Sequence, residues 1–217
     1  CSISTLNTVR GSRPKKGVMP DILHFDVDEA LDQMLNVFWQ QGFKATTTKQ
    51  LAKSAGLSEG SLFNTFGNKR ELYIQTLQRY REHSQFLFAL IEKDASPIHG
   101  FKAYWNAIAV RATDKTRVNG CMITNATIEQ LQDAKIAEFI ETVHIDNEKF
   151  FKKQLDRAVK IGELKQRTDT KALAQFLQHS VQGIRVLSRI NPSKQKMFNI
   201  VNTVMSVLAQ HLTNPSL

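Results

Sequence analysis

The sequence predicts an all-α protein of about nine helices. Three observations carry that expectation. Apolar residues recur at three- and four-residue spacing through most of the 217-residue chain. No stretch alternates with period two over a strand's length. Only five prolines and ten glycines are present, too few for a turn-rich β-sandwich. With 41% hydrophobic and 23% charged residues the chain can bury a sizeable core, which excludes a disordered or fibrous class. Lys and Arg number 29 against 20 Asp and Glu, a net charge of +9 that makes a polyanion a natural partner.

Each element follows in order. Residues 1–20 hold Arg10, Arg13, Lys15 and Lys16 with no acid and no apolar period, and read as a flexible basic arm. From Val27 the stripe Ala30, Leu31, Met34, Leu35, Phe38 and Trp39 predicts a first helix closing at Gly42, with Asp26, Asp28, Glu29 and Asp32 where its dipole favours acids. Thr47 and Gln50 have capping-box spacing and open a short helix to about Ala55, which Gly56 ends. Ser58 caps the third helix, with Leu57 and Leu62 at the positions of a hydrophobic staple, and Gly67 breaks it. Asn68 and Glu71 repeat the capping box and open a long fourth helix marked by Leu72, Leu77, Tyr80, Leu87 and Ile91. Five more helices are expected near 97–112, 121–131, 133–161, 170–190 and 194–212, separated at Asn119-Gly120, Asp133, Gly162 and Asn191-Pro192.

The two short helices joined through Gly56, with Ala52 small enough for close crossing, match the helix-turn-helix pattern. Ser58, Ser61, Asn64 and Thr65 are short polar groups able to reach base edges or phosphates, while Leu62 and Phe66 turn inward. From Lys44 to Arg70 five basic residues face one acid, Glu59. Lys69 and Arg70 stand in the first turn of the fourth helix, against its dipole, a conflict that a bound phosphate would remove.

The segment Phe43 to Leu72, FKATTTKQLAKSAGLSEGSLFNTFGNKREL, resembles the DNA-binding region of TetR/AcrR-family transcriptional regulators, and the likeness extends from about Val27 to Tyr80. The resemblance implies an N-terminal three-helix DNA-binding domain (21–67) and a C-terminal ligand-binding and dimerisation domain (68–217). By position it implies phosphate contacts from Thr47, Thr48 and Lys49, a major-groove face of Ser58, Gly60, Ser61, Asn64 and Thr65, and a phosphate clamp at Lys69. The arm ending in SRPKKG resembles the family's basic tail. Phe63 stands where the family often has Tyr, which puts one phosphate hydrogen bond in doubt.

The implied function is a repressor released from a palindromic double-stranded DNA operator by a small apolar or aromatic effector. The expected effector lining is Phe86, Tyr104, Trp105, Cys121, Asn125, Phe139, His144 and His179, although for any single aromatic at helical spacing plain core is the safer reading. Two stripes predict a homodimer: Leu173, Phe176, Leu177, Val181, Ile184, Leu187 and Ile190, then Met197, Val201, Val204, Leu208 and Leu212. Gly183 would permit close approach.

Other chemistry finds little support. Glu141 and His144 give half of a di-metal spacing without the second half, so no metal or cofactor is expected. No Gly-rich phosphate loop, Cys-x-x-Cys or His-Glu-x-x-His occurs, and an enzyme is not expected. The basic run Lys149, Lys152, Lys153, Arg157 and Lys160 is interleaved with Glu148 and Asp156, as on a solvated helix face. Apolar runs are far short of a membrane span, and two cysteines, Cys1 and Cys121, suit a reduced, cytoplasmic setting. Two alternatives stay open: a nucleic-acid-binding protein without ligand response, and a thiol-sensing repressor. For the latter, Cys121 begins a helix shortly after Arg111, Lys115 and Arg117, and GCMITN resembles a Gly-Cys feature in family members that respond to electrophiles.

Overall fold

The computed structural model describes residues 25–116, 119–129, 132–190 and 192–214. The basic arm, Cys1, Arg117 and the site of any arm contact to DNA lie outside these residues. The described helices are α1 (Val27–Ala45), α2 (Thr48–Ser54), α3 (Glu59–Phe66), α4 (Lys69–His83), α5 (Gln85–Glu92), α6 (Pro97–Ala112), α7 (Met122–Glu129), α8 (Ala134–Lys160), α9 (Thr170–Leu187) and α10 (Lys194–Ala209). A single antiparallel bridge between Leu164 and Leu212 is the sole β pairing among the described residues.

The nine-helix expectation holds except that the fourth helix is divided. At Ser84 the hydroxyl bonds back to the Tyr80 carbonyl at 3.0 Å and the backbone N–H turns to Arg81 O. This local bonding competes with the helical ladder. The chain therefore restarts as α5 and lays Leu87 and Ile91 onto α6. The crossing is close: a Cβ on Gly100 would meet the Ile91 Cα at 2.7 Å and the Leu90 carbonyl at 2.8 Å. Only glycine lets α6 pass α5 there.

The caps follow the sequence. Asp26 caps α1, Thr47 with Gln50 and Asn68 with Glu71 form complete capping boxes, and Ser58 caps α3. α1 loses helical geometry at Gly42, then makes one further turn to Ala45.

Two apolar cores result. The first joins α1–α4 with α7 and the first half of α8 through Met34, Phe38, Leu51, Leu62, Leu72, Leu77, Met122, Ile123, Ile136 and Ile140. The second gathers α5, α6, the end of α8, α9 and α10 around Phe101, Tyr104, Trp105, Phe151, Leu177 and Val201. The packing thus does not part at residues 67/68, where the sequence suggested a boundary. α7 and the start of α8 belong with the N-terminal head.

Candidate nucleic-acid interface

The α2–turn–α3 unit is fixed by local bonds. Gly56 takes φ +66°, and the Leu57 and Gly56 N–H groups return to the Ala52 and Lys53 carbonyls, closing α2 tightly enough for α3 to cross it. Leu51, Ala52, Leu62 and Phe66 are buried beneath, so α3 is held by its inner face. Its outer face exposes Glu59, Gly60, Ser61, Phe63, Asn64 and Thr65.

The structure separates the predicted readers by what their polar atoms already do. Ser58 accepts the Ser61 N–H at 3.0 Å and meets the Ser61 hydroxyl at 2.9 Å, so it is first a cap. Thr47 is likewise the cap of α2. Thr48 donates to the Glu59 carboxylate at 2.7 Å, tying the two helix starts together. Asn64, Thr65 and Lys49 stand exposed on this surface.

The paired cations at the start of α4 take different roles. The Arg70 guanidinium turns to Asp133 at 2.6 Å, and Asp133 also caps α8. The sequence reading of Arg70 as a phosphate partner is corrected: its conflict with the dipole is relieved by a carboxylate of the chain. Lys69 stays on the reading side with its ammonium 4.5 Å above the Phe43 ring, and desolvation lowers its pKa.

The expected effector lining is largely redistributed. Tyr104 and Trp105 are fully buried in the second core. Phe86 is 51% exposed under the Arg111 guanidinium, and His179 is exposed with its Nδ1 on the Gln175 carbonyl. Asn125 bonds the Asn119 carbonyl, Phe139 packs on the head core, and His144 lies between Thr127 and Gln178. Glu141, its supposed metal partner, is exposed. Burial, Arg185 and His179 all lower the His144 pKa.

Of the eight residues only Cys121 lines the small cavity of about 50 Å³ between the two cores, which Tyr80, Ser84, Arg111, Arg185 and Ser188 share. Arg185 was missed by sequence reasoning. The available signal was a charge beside Ile184 and four residues after Val181 in the apolar stripe.

Cys121 stands immediately before α7, and burial pushes its thiol up. Arg185, the hydroxyl and backbone N–H of Thr124, and the Tyr80 hydroxyl together outweigh that and leave it below the usual thiol value. The neighbouring Gly120 carbonyl accepts the Trp39 indole N–H at 3.1 Å, linking the cavity wall to α1.

The predicted dimer residues Leu177, Val181, Ile184, Val201, Val204 and Leu208 are all buried within one protomer, at 5% exposure or less. Within one protomer they are internal packing: α9 and α10 spend these stripes on α6 and α8. Exposed on α9 and beyond it are Phe176 and Ile190, with open space at Gly183.

A helix-turn-helix head on a helical body, with a polar reading face and a cation beside it, defines the class of DNA-binding transcriptional regulators. Residues 30–76 match the family model for bacterial regulatory proteins of the tetR family. The HTH-type transcriptional repressor ComR of Escherichia coli (strain K12) is 30% identical over 83% of this chain and 88% of its own. The HTH-type transcriptional regulator YezE of Bacillus subtilis (strain 168) is 27% identical over 85% and 96%. A cysteine mutant of the TetR family regulator CifR, complexed with 26-bp operator DNA, superposes with TM-score 0.77 at 20% identity, over 84% of this chain and 97% of that one. The chain belongs to the TetR family and is a transcriptional regulator, not an enzyme. No described helix is long and apolar enough to cross a membrane.

Proposed function

We propose that this chain is a homodimeric repressor that reads a palindromic operator with α3 and leaves it when a small molecule enters the cavity between the two cores. The observation that carries the DNA reading is the split of α3, with Leu62 and Phe66 anchored inside and Gly60, Ser61, Asn64 and Thr65 outside, next to Lys69 at the start of α4. Thr47, the cap of α2, and Thr48 and Lys49 in its first turn would meet phosphates at a helix N-terminus, where backbone N–H groups favour anions, and Ser58, the cap of α3, would border the major-groove face. In the dimer the two α3 helices would enter successive major grooves about 34–36 Å apart. The arm would add contacts from residues 1–20.

The dimer face that fits is the outer side of α9, with Phe176 and Gly183, continued by Ile190. A mass of twice 24.6 kDa in light scattering supports it, and a monomer at micromolar concentration refutes it. The DNA reading is tested with a labelled duplex from upstream of the gene. Lys69→Ala should weaken every sequence alike, and Asn64→Ala should alter base preference. Affinity unchanged in both variants would remove α3 as the reader. A second reading, release by modification of Cys121, is supported by the donors that surround its sulfur, and Cys121→Ser is its control.

A further inference from the structure

The cavity is unusual in its charge. Two arginines line it, Arg111 of α6 and Arg185 of α9, and no acidic side chain does among the described residues. Arg111 already sits over the Phe86 ring, and several other arginines have evident oxygen partners. Arg79 pairs with Asp32 and Asp28, Arg81 with Asp146, and Arg157 donates to the carbonyls of Ile91, Glu92 and Asp94. Around Arg185 the groups whose charge acts on it are Cys121, Tyr104 and Tyr80. Burial pushes the Tyr104 hydroxyl up to about 12, so it carries no charge near neutrality. No carboxylate of the described residues is among the groups acting on Arg185.

Taking the cavity as the effector site, we propose that its occupant is a small organic anion, a carboxylate of a few heavy atoms seated on Arg185. The planar guanidinium offers two parallel N–H donors that match a carboxylate. The hydroxyl protons of Ser84 and Ser188 on the same wall are already bonded to the Tyr80 and Arg185 carbonyls, so Arg185 supplies the donors, and Leu87, Ile108 and Ile184 receive the carbon part. A volume of about 50 Å³ holds a few waters or a ligand of that size. This differs from the apolar or aromatic effector expected from sequence: Tyr104 and Trp105 are buried in the second core and Phe139 packs on the head core.

Cys121 supplies a reporter at the site. The full chain is treated with iodoacetate or with its neutral analogue iodoacetamide, each losing iodide to the sulfur, and modification of Cys121 is followed by peptide mass spectrometry. A cavity that concentrates anions should raise the iodoacetate-to-iodoacetamide rate ratio about tenfold or more above the ratio for glutathione. Arg185→Met should bring it back to the glutathione ratio, and Arg185→Lys should keep part of the gain. In the wild type, propionate should slow iodoacetate at constant ionic strength, a result that needs no variant to fold. A wild-type ratio equal to glutathione's overturns the proposal, as does a Cys121 that neither reagent reaches, since such a cavity admits no ligand. Operator binding is measured on the same samples. Anion selectivity without release of DNA by propionate would leave the anion site standing and count against effector control by that site.

Discussion

Gly60→Ala should move stability and DNA affinity in opposite directions. Gly60 is the second residue of α3, in ordinary helical geometry, and an added Cβ would find only the Ser58 Oγ, at 3.8 Å. Alanine therefore fits the free protein and removes the entropic cost of a helical glycine, about 0.5–1 kcal/mol, with the lower end apt for a first turn. For a chain of this length that is a rise in Tm of roughly 1–4 °C. On DNA the same methyl points where the proposed groove wall meets the backbone of α3. Overpacking of about 1–3 kcal/mol would lower operator affinity roughly 5- to 150-fold. Differential scanning fluorimetry and fluorescence anisotropy at fixed salt read the two effects. A higher Tm with unchanged affinity would refute close approach of this turn to DNA, and a lower Tm would refute the packing argument.

Gly100→Ala should do the reverse of Gly60→Ala for stability. Its Cβ meets backbone of α5, so overpacking of about 1–3 kcal/mol exceeds any gain in helix propensity and Tm should fall by a few degrees. Arg70→Ala, which loses a partly exposed pair with Asp133, should cost at most about 1 kcal/mol in denaturant titration and leave DNA affinity nearly intact, in contrast to Lys69→Ala. The Asp32 carboxyl is held below its usual 3.8 by the Arg79 hydrogen bond. The stabilisation it contributes is complete above the unfolded value and is lost as pH falls through the lower folded one. Acid unfolding followed by circular dichroism should therefore lose part of its slope below about pH 4 in Asp32→Asn. Phe176→Asp should shift the proposed dimer towards monomer in light scattering at micromolar concentration without lowering the helicity of the chain.

The caps were legible because they are short-range chemistry. Thr47 to Gln50 and Asn68 to Glu71 each satisfy helix N–H groups within four residues, so spacing alone finds them. Helix faces were legible too, but the identity of the neighbour was not. Leu177 and Leu208 show the period of a buried face, and nothing in that period says whether a helix of the same chain or of a second copy covers it. Ser84 was missed for a related reason. The apolar stripe continues from Tyr80 to Leu87 through the break, and the hydroxyl-to-carbonyl bond that ends α4 leaves no mark in hydrophobicity. The cavity depends on Tyr80, Arg111, Cys121 and Arg185, drawn from three helices and a loop. Their meeting is a product of tertiary packing.

The division at Ser84 also makes α4 a separate rod. Fifteen residues at 1.5 Å each span about 22 Å, from Lys69 at the reading surface to the cavity wall just past Tyr80. Leu72, Tyr73 and Leu77 fasten the head core to this rod, so the head tilts with it. A 1 Å push at the Ser84 end corresponds to a tilt of roughly 3° over that length. In a two-fold pair the tilts are mirrored by rotation, and the errors at the two grooves accumulate against a fixed spacing of about 34–36 Å. Because hydrogen bonds tolerate only a few tenths of an ångström, an occupant of a handful of atoms would, in the proposed dimer, have leverage enough to unseat a contact surface it never touches.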